Sequence, residues 1–302
     1  MLSIIISSYQ PHYYNKLVKN ISETIGNDFI YEIIQVWNPN LMSITEAYNA
    51  GAEKSNYNNL LFLHEDLIFH TKGWGKVLTD HLSVKQTGII GVAGSAYVPY
   101  APSSWAISKE YNCINILQGN KNNDQYIHNY ELKKKRNPVF AVDGVFLAIL
   151  KKNYNMFKFD SDLRGFHGYD LDFSLRVSQK FQNFVVDDIL IQHFSKGNQD
   201  KNWLDTNIKI REKLNVKLDQ IINCETEKDA FKGFLYQYFK FYPINLNNLL
   251  FCLKFYPFKR IKFAQHLLFL KFFFNLIRYS KDINKKHNDN RNRTYRQRPF
   301  KY

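Results

Sequence analysis

The sequence predicts an α/β protein with a mostly parallel central sheet, followed by a helical, basic and aromatic C-terminal extension. Three observations carry this reading. Short apolar runs alternate with stretches of helical spacing through the first half of the chain, the pattern of parallel strands joined by crossover helices. Polar and ionisable residues collect at the ends of those runs, where an open α/β sheet binds its ligands. Charge is divided unevenly: residues 1–229 hold 25 Lys+Arg and 25 Asp+Glu, whereas residues 230–302 hold 16 basic residues against Asp282 and Asp289 alone. The whole net charge of +14 therefore lies in the last quarter, and the chain reads as two domains, 1–229 and 230–302.

The elements follow in order. Residues 2–7 form a continuous apolar run ending in Ser-Ser-Tyr, a buried first strand, and residues 12–25 have helical spacing. YEIIQVW, residues 31–37, is a second strand stopped by Asn38-Pro39-Asn40. Residues 43–54 read as a helix with Ser43 as N-cap and Glu46 three positions on, a capping-box pattern. A third strand (60–63), a helix (74–84) and a fourth strand (88–93) complete the alternation. From about residue 97 to 137 the chain is irregular, polar and aromatic; its Lys133-Lys134-Lys135-Arg136 run reads as a solvated loop or as an approach to a phosphate. Strand character returns over 139–149, interrupted by Asp143-Gly144, before a helix at 169–181 and a strand at 184–187. No internal repeat is visible.

At 302 residues and 45% hydrophobic content the chain can bury a full-sized core. Cys113, Cys224 and Cys252 are odd in number and far apart, so neither a disulfide framework nor a structural zinc site is expected, and a reducing compartment is. The N-terminal apolar run is too short for a signal peptide and lacks a basic leader. No uncharged apolar stretch reaches the roughly 18 residues that a membrane-spanning helix needs.

The residues that point to chemistry are acidic: Glu65-Asp66 after the third strand, Asp143, and Asp170 with Asp172 in GFHGYDLDFSLR, joined by His193 in IQHFSKG. Carboxylates at the end of a central strand suit a hard divalent cation that shares its shell with phosphates, and a neutral imidazole in the shell favours Mn²⁺ over Mg²⁺. A carboxylate at a helix N-terminus, such as Asp170, can serve as general base to a substrate hydroxyl. Taken singly, each has a plainer reading: a polar turn at 65–66, a helix-dipole partner at 170 and 172, a satisfied core histidine at 193. Their order along an alternating α/β chain argues for one site.

Four blocks carry a resemblance to a known family: IIISSY, SITEAYNAGAEKSNYNNLLFLHEDLIF, GVFLAI after Val142-Asp143, and GFHGYDLDFSLRV followed by QHFSKG, together spanning about residues 2–200. The chain resembles family 2 glycosyltransferases of GT-A fold, most of all the streptomycin-biosynthesis-type domain. The resemblance implies an inverting enzyme that moves a sugar from a nucleoside-diphosphate donor to a hydroxyl of a glycan or lipid-linked acceptor with Mn²⁺ or Mg²⁺. It puts His64-Glu65-Asp66 at the family's acidic triplet, Asp66 as a metal ligand with His193, and Asp170 as catalytic base. Ser7, Ser8, Tyr9, Asn38, His64 and Glu65 are expected along the nucleotide sugar, with Asn49 and Gly51 on the helix beside it. Trp105, Asp143, Gly144 and Tyr169 are expected on the acceptor side. Two departures stand out: His64 and Asn38 occupy positions where the wider family has aspartate.

The tail from residue 230 holds 20 of the chain's 49 aromatic residues among scattered cations, cut into pieces by Pro243 and Pro257. This is the composition of interfacial amphipathic helices, and we expect residues 230–302 to meet an anionic membrane surface, with a polar, basic and disordered end. A cytoplasmic protein, peripheral on the cytoplasmic face of the membrane, is the expectation that results. A packing subdomain with solvated cations is the plainer reading. A silent nucleotide-sugar-binding protein and a nucleic-acid binder acting through the tail are the alternatives to the enzyme; the balanced body and the lack of a recognised motif argue against nucleic acid.

Overall fold

Apolar continuity makes the first strand: β1 (Leu2–Ser8) is buried almost throughout and takes an interior place in the sheet. The computed structural model describes residues 1–120, 123–195, 197–214 and 216–285. The chain continues through α1 (Pro11–Thr24), β2 (Tyr31–Trp37), α2 (Ile44–Glu53), β3 (Asn59–Leu63), β4 (Leu67–Phe69), α3 (Trp74–Ser83), β5 (Thr87–Gly91) and β6 (Ala93–Ser95). A hairpin of β7 (Asn112–Asn120) and β8 (Asn123–Glu131) follows, then β9 (Arg136–Val139), β10 (Ala141–Val142) and β11 (Phe146–Leu150). Next come α4 (Lys151–Phe157), α5 (Tyr169–Val177), β12 (Gln182–Val186), β13 (Ile191–His193) and α6 (Lys201–Lys213). By contacts the chain divides into two compact units, Met1–Val98 with Ser104–Asp219, and Pro99–Ser103 with the chain from Gln220.

In the first unit a seven-stranded sheet runs in the order β2-β1-β3-β11-β5-β12-β9. β1, β2, β3, β5 and β12 share one direction, and β11 and β9 oppose it. The sheet is thus mixed, with the antiparallel β11 inserted between β3 and β5. A second sheet has the order β10-β6-β7-β13-β4, with β8 on β7. Apolar layers cover both faces of the larger sheet. The capping box of α2 forms as its sequence requires: the Ser43 hydroxyl accepts from the Glu46 amide at 3.3 Å, and the Ser43 amide donates to the Glu46 carboxylate at 2.8 Å.

Two sequence expectations need correction. The strand expected over 88–93 is two strands in different sheets. Gly91 allows the change, since a Cβ there would stand 2.3 Å from Val142 Cγ1, and β10 approaches through that gap. The stretch 97–137 is not irregular throughout but holds the β7–β8 hairpin. Its polar residues hide the strand pattern because some, such as Asn115, face inward and donate to the Asp187 and Ile189 carbonyls at 2.9 and 3.2 Å. The basic run at 133–136 ends in β9, where Arg136 turns inward to Thr87 at 2.6 Å and lies over the Phe184 ring at 3.9 Å.

Gly51 is where α2 touches the sheet. A Cβ on it would come within 2.3 Å of Ile5 Cγ2 and 3.3 Å of Val36 Cγ2, both on stiff β-branched side chains inside strands. Gly51→Ala is therefore expected to cost about 1–3 kcal/mol by overpacking, read as a lower denaturant midpoint at unchanged slope.

The second unit is built from α7 (Cys224–Phe241), α8 (Leu246–Leu253) and α9 (Phe263–Arg278), with a further helical stretch over 280–285. The composition changes at residue 230, but α7 starts at its Asn223 N-cap, whose side chain accepts from the Thr226 amide at 2.9 Å. Inside, the buried Glu227 accepts from Arg260 at 3.0 Å and from the Tyr100 amide at 2.8 Å. Around it Phe231, Phe234 and Tyr238 pack against Phe269, Phe255 and Phe251. Many of the tail's aromatic residues are therefore core. The end expected to be disordered starts at Lys281; its first residues, 281–285, are helical, and the rest lies outside the described residues from 286 onward.

Candidate active site

Sheet register assembles the site. β1 and β3 run parallel, so Tyr9 and His64 leave the sheet at the same edge. β11 runs against β3 with Phe146 opposite Leu63, so the residues leading into it, Asp143-Gly144-Val145, arrive beside His64. β13 runs against β4 with His193 opposite Leu67, which sets the His193 ring next to Asp66. Finally α5 begins at Tyr169 and brings Asp170, in its first turn, to the Gly144 amide.

The result is a cluster of His64, Asp66 and His193, each offering one ligand atom, all within 4.8 Å of one another. His193 Nε2 lies 3.6 Å from Asp66 Oδ1 and 3.0 Å from Ser195 Oγ. Burial pushes the His64 pKa down and outweighs the opposite pull of the Asp66 and Asp143 charges, so the ring is held neutral. Burial also tends to raise Asp66, but the hydrogen bond and charge of His193, with His64 and Ser195, hold its carboxyl well below the ordinary range. Two imidazoles and an ionised carboxylate make a donor set suited to a divalent transition metal.

His64 is locked from behind. Its Nε2 lies 2.8 Å from the Tyr169 hydroxyl, which donates in turn to the Gly144 carbonyl at 3.1 Å. Burial raises the Tyr169 pKa well above its usual value, so the hydroxyl keeps its proton for that bond. It then accepts from His64 Nε2–H, and the lone pair of the neutral ring stays on Nδ1. On the other side of Gly144, its amide donates to Asp170 Oδ2 at 3.0 Å, and the Leu171 amide donates to Asp170 Oδ1 at 2.9 Å. Asp143 is fixed by the Trp105 indole at 2.7 Å and the Val145 amide at 2.8 Å. Burial, then the neighbouring Asp143 charge, pushes Asp170 up to about 7.

Two cavities flank this wall. One of about 260 Å³ is lined by Ser7, Tyr9, Asn38, Glu65 and Asp66; the other, about 420 Å³, by Trp105, Asp143, Gly144, Asp170 and His193. His64, Phe166, Tyr169 and Ser195 line both.

Some expected residues are used differently. The Glu65 carboxylate accepts from the Tyr9 and Gln10 amides, both at 3.1 Å, and so closes the N-terminus of α1. The Asn38 side chain folds its own loop, accepting from the Leu41 and Met42 amides at 3.0 Å each. Ser8, Asn49 and Gly51 line neither cavity. The Ser8 hydroxyl accepts from Gln35 at 2.8 Å, while Asn49 donates to the Phe159 carbonyl at 2.9 Å and pins the segment after α4. Three features escaped the sequence. His64 belongs to the metal-type cluster, which the period-two spacing of His64 and Asp66 hinted at. Ser195 follows His193 at the same spacing, and Phe166 stands in GFHG between two glycines of positive φ, Gly165 and Gly168.

A mixed α/β sheet with carboxylate and imidazole groups gathered at its strand ends, above an open cleft, is the arrangement of a GT-A glycosyltransferase. A family model described as "Glycosyltransferase like family" matches residues 3–226, most of the chain, and the chain belongs to that family. No curated protein matches the sequence significantly. Among solved structures it is similar to residues 1–349 of S. aureus TarS, with TM-score 0.53 and 12% identity over 100% of this chain and 93% of that one. The same fragment in complex with UDP-GlcNAc gives TM-score 0.53 and 12% identity over 98% and 91%. GalNAc-T7 with UDP, GalNAc and Mn²⁺ gives TM-score 0.48 and 10% identity over 70% of this chain and 47% of that one, so the chain spans less than half of that protein. At these identities the TarS likeness shows the GT-A fold.

Proposed function

We propose that the protein is a metal-assisted, inverting hexosyltransferase that moves a sugar from a nucleoside-diphosphate donor to a hydroxyl of a glycan or lipid-linked acceptor. One observation carries the reading: the His64, Asp66 and His193 cluster borders both of two adjoining cavities, and the Asp170 carboxylate lines the larger one beside His64 and His193. The crystallisation of a fold-sharing TarS fragment with UDP-GlcNAc supports a donor of this class. His64, Asp66 and His193 would hold the cation, and two imidazoles favour Mn²⁺ over Mg²⁺. A bound divalent cation supplies charge that offsets the build-up on the departing nucleoside diphosphate.

The protein's own groups do the rest. Asp170 takes the proton of the acceptor hydroxyl, whose oxygen forms a bond to the anomeric carbon from the face opposite the leaving group. The bond from that carbon to the diphosphate breaks with its electron pair on phosphate, and the anomeric centre inverts. Trp105 and Phe166 offer aromatic faces to sugar rings. The motif likeness to the streptomycin-biosynthesis-type domain and the cationic second unit fit a role in polysaccharide assembly at the cytoplasmic face of a membrane.

Calorimetric titration of a panel of nucleoside diphosphates, with and without Mn²⁺, on wild type and Asp66→Ala tests the donor site. The expected result is Mn²⁺-dependent binding of one nucleotide by wild type and its loss in the variant. Equal binding by Asp66→Ala, or no binding by wild type, would sink the reading.

A further inference from the structure

Helix α9 is apolar on two opposite sides. Its inward side is spent on α7: Phe269 packs edge-on against Phe231 with ring centres 5.1 Å apart, Phe272 against Tyr236 at 5.7 Å, and Gln265 donates to Glu225 at 2.6 Å. At about 100° per residue these positions share one face with Phe273 and Leu276. Phe263, Leu267, Leu270, Phe274 and Ile277 recur at alternating intervals of four and three and fall on the opposite face, 78, 54, 65, 63 and 57% exposed. A continuous stripe of large exposed apolar side chains marks a contact surface.

Charge identifies the partner. α9 contains no acidic residue, and Lys271 and Arg278 lie beside the stripe. Three acids of the second unit lie in α7 and are engaged there: Glu227 is buried against Arg260, and Glu225 and Asp229 both meet Lys228; Asp282 follows α9 in the stretch 280–285. Residues 230–302 hold the chain's whole excess of positive charge. The four-and-three spacing also suits a paired helix from a second copy, but that pairing would set two strongly cationic surfaces face to face. No helix among the described residues is long and apolar enough to cross a membrane.

We infer that the stripe is the face by which the protein lies on an anionic lipid bilayer. α9 rests parallel to the surface, its five apolar side chains enter the interfacial zone, and Lys271 and Arg278 meet lipid phosphates. This assigns a face to the peripheral placement proposed above and rests on that placement, not on the transfer chemistry.

Flotation of the full chain with phosphatidylcholine vesicles, with and without phosphatidylglycerol, tests it. Wild type is expected to float with the anionic vesicles, to be released by salt, and to ignore phosphatidylcholine alone. Leu270→Ser with Phe274→Ser is expected to weaken capture at least about tenfold. Lys271→Gln with Arg278→Gln, which leaves the apolar stripe intact, is expected to weaken it several-fold. Circular dichroism and the nucleoside diphosphate titration report that the variants remain folded and that the other unit still works. The inference falls if wild type ignores anionic vesicles, or if either double variant binds like wild type. It also falls if light scattering finds a dimer that Leu270→Ser with Phe274→Ser dissociates, since a second copy then covers the stripe.

Discussion

Asp170→Asn is expected to lower kcat for sugar transfer by ~10²–10⁴-fold, the usual loss on removing a general base, with Mn²⁺-dependent nucleoside diphosphate binding retained. The sign of the pH dependence comes from the same carboxyl. Its pKa is pushed up to about 7, first by burial and then by Asp143, so below that pH it holds a proton and cannot take another. For wild type, log kcat/KM is expected to rise with unit slope up to about pH 7 and then level off. Asp143→Asn removes the like charge, which favours the Asp170 anion, and should move the break to lower pH; burial is the larger cause, so the break stays above the ordinary carboxylate range. A break that does not move would mean that another group titrates.

The asparagine variant carries a structural cost that must be separated from the chemical one. Both Asp170 oxygens accept backbone amides, from Gly144 and Leu171. Asparagine has one acceptor oxygen, so one amide loses its partner at a cost of ~1–3 kcal/mol. Denaturant unfolding of Asp170→Asn should show that loss, and retained nucleotide binding should show that the site survives it.

Local chemistry was legible in the sequence, and long-range register was not. Ser43 and Glu46 are three residues apart, so the capping box of α2 could be read directly. The apolar β3 ending in His64-Glu65-Asp66 announced a site because ionisable groups at the end of a buried strand need a reason. The position of His193 was different. It reaches Asp66 only because β13 pairs antiparallel with β4, and both are three-residue strands too short to show a period. His64 looked like a lost acid in the triplet, and its role depends on that same register. Glu65 shows the converse: its type suggested ligand chemistry, but it caps α1, whose position relative to β3 no local pattern encodes. The tail's composition likewise mixed two populations, core rings such as Phe231 and outward ones such as Phe274, which only helix packing separates.

The link between the proposed cation site and the proposed base is the least legible feature, and it supports the second large prediction. Gly144 accepts from Tyr169, which holds His64, and donates to Asp170. The approach requires glycine, because a Cβ at 144 would stand 2.1 Å from the Tyr169 hydroxyl, 2.5 Å from its Cζ and 3.1 Å from Asp170 Cβ. Gly144→Ala must therefore displace Tyr169 and Asp170 together. It is expected to weaken Mn²⁺ binding by ~10–100-fold, as loss of an orienting partner does, and to lower turnover at saturating Mn²⁺ as well. Tyr169→Phe separates the two effects. Its ring can still pack against Tyr48 and Phe159, Asp170 keeps both amides, and only the hydroxyl between His64 and Gly144 is lost. That variant should show the weakened Mn²⁺ binding, read by calorimetry without donor or acceptor, but turnover close to wild type once Mn²⁺ saturates. If Tyr169→Phe binds Mn²⁺ as wild type does, His64 is oriented by something other than Tyr169. The shared wall would then be a packing contact, with no coupling between cation and base.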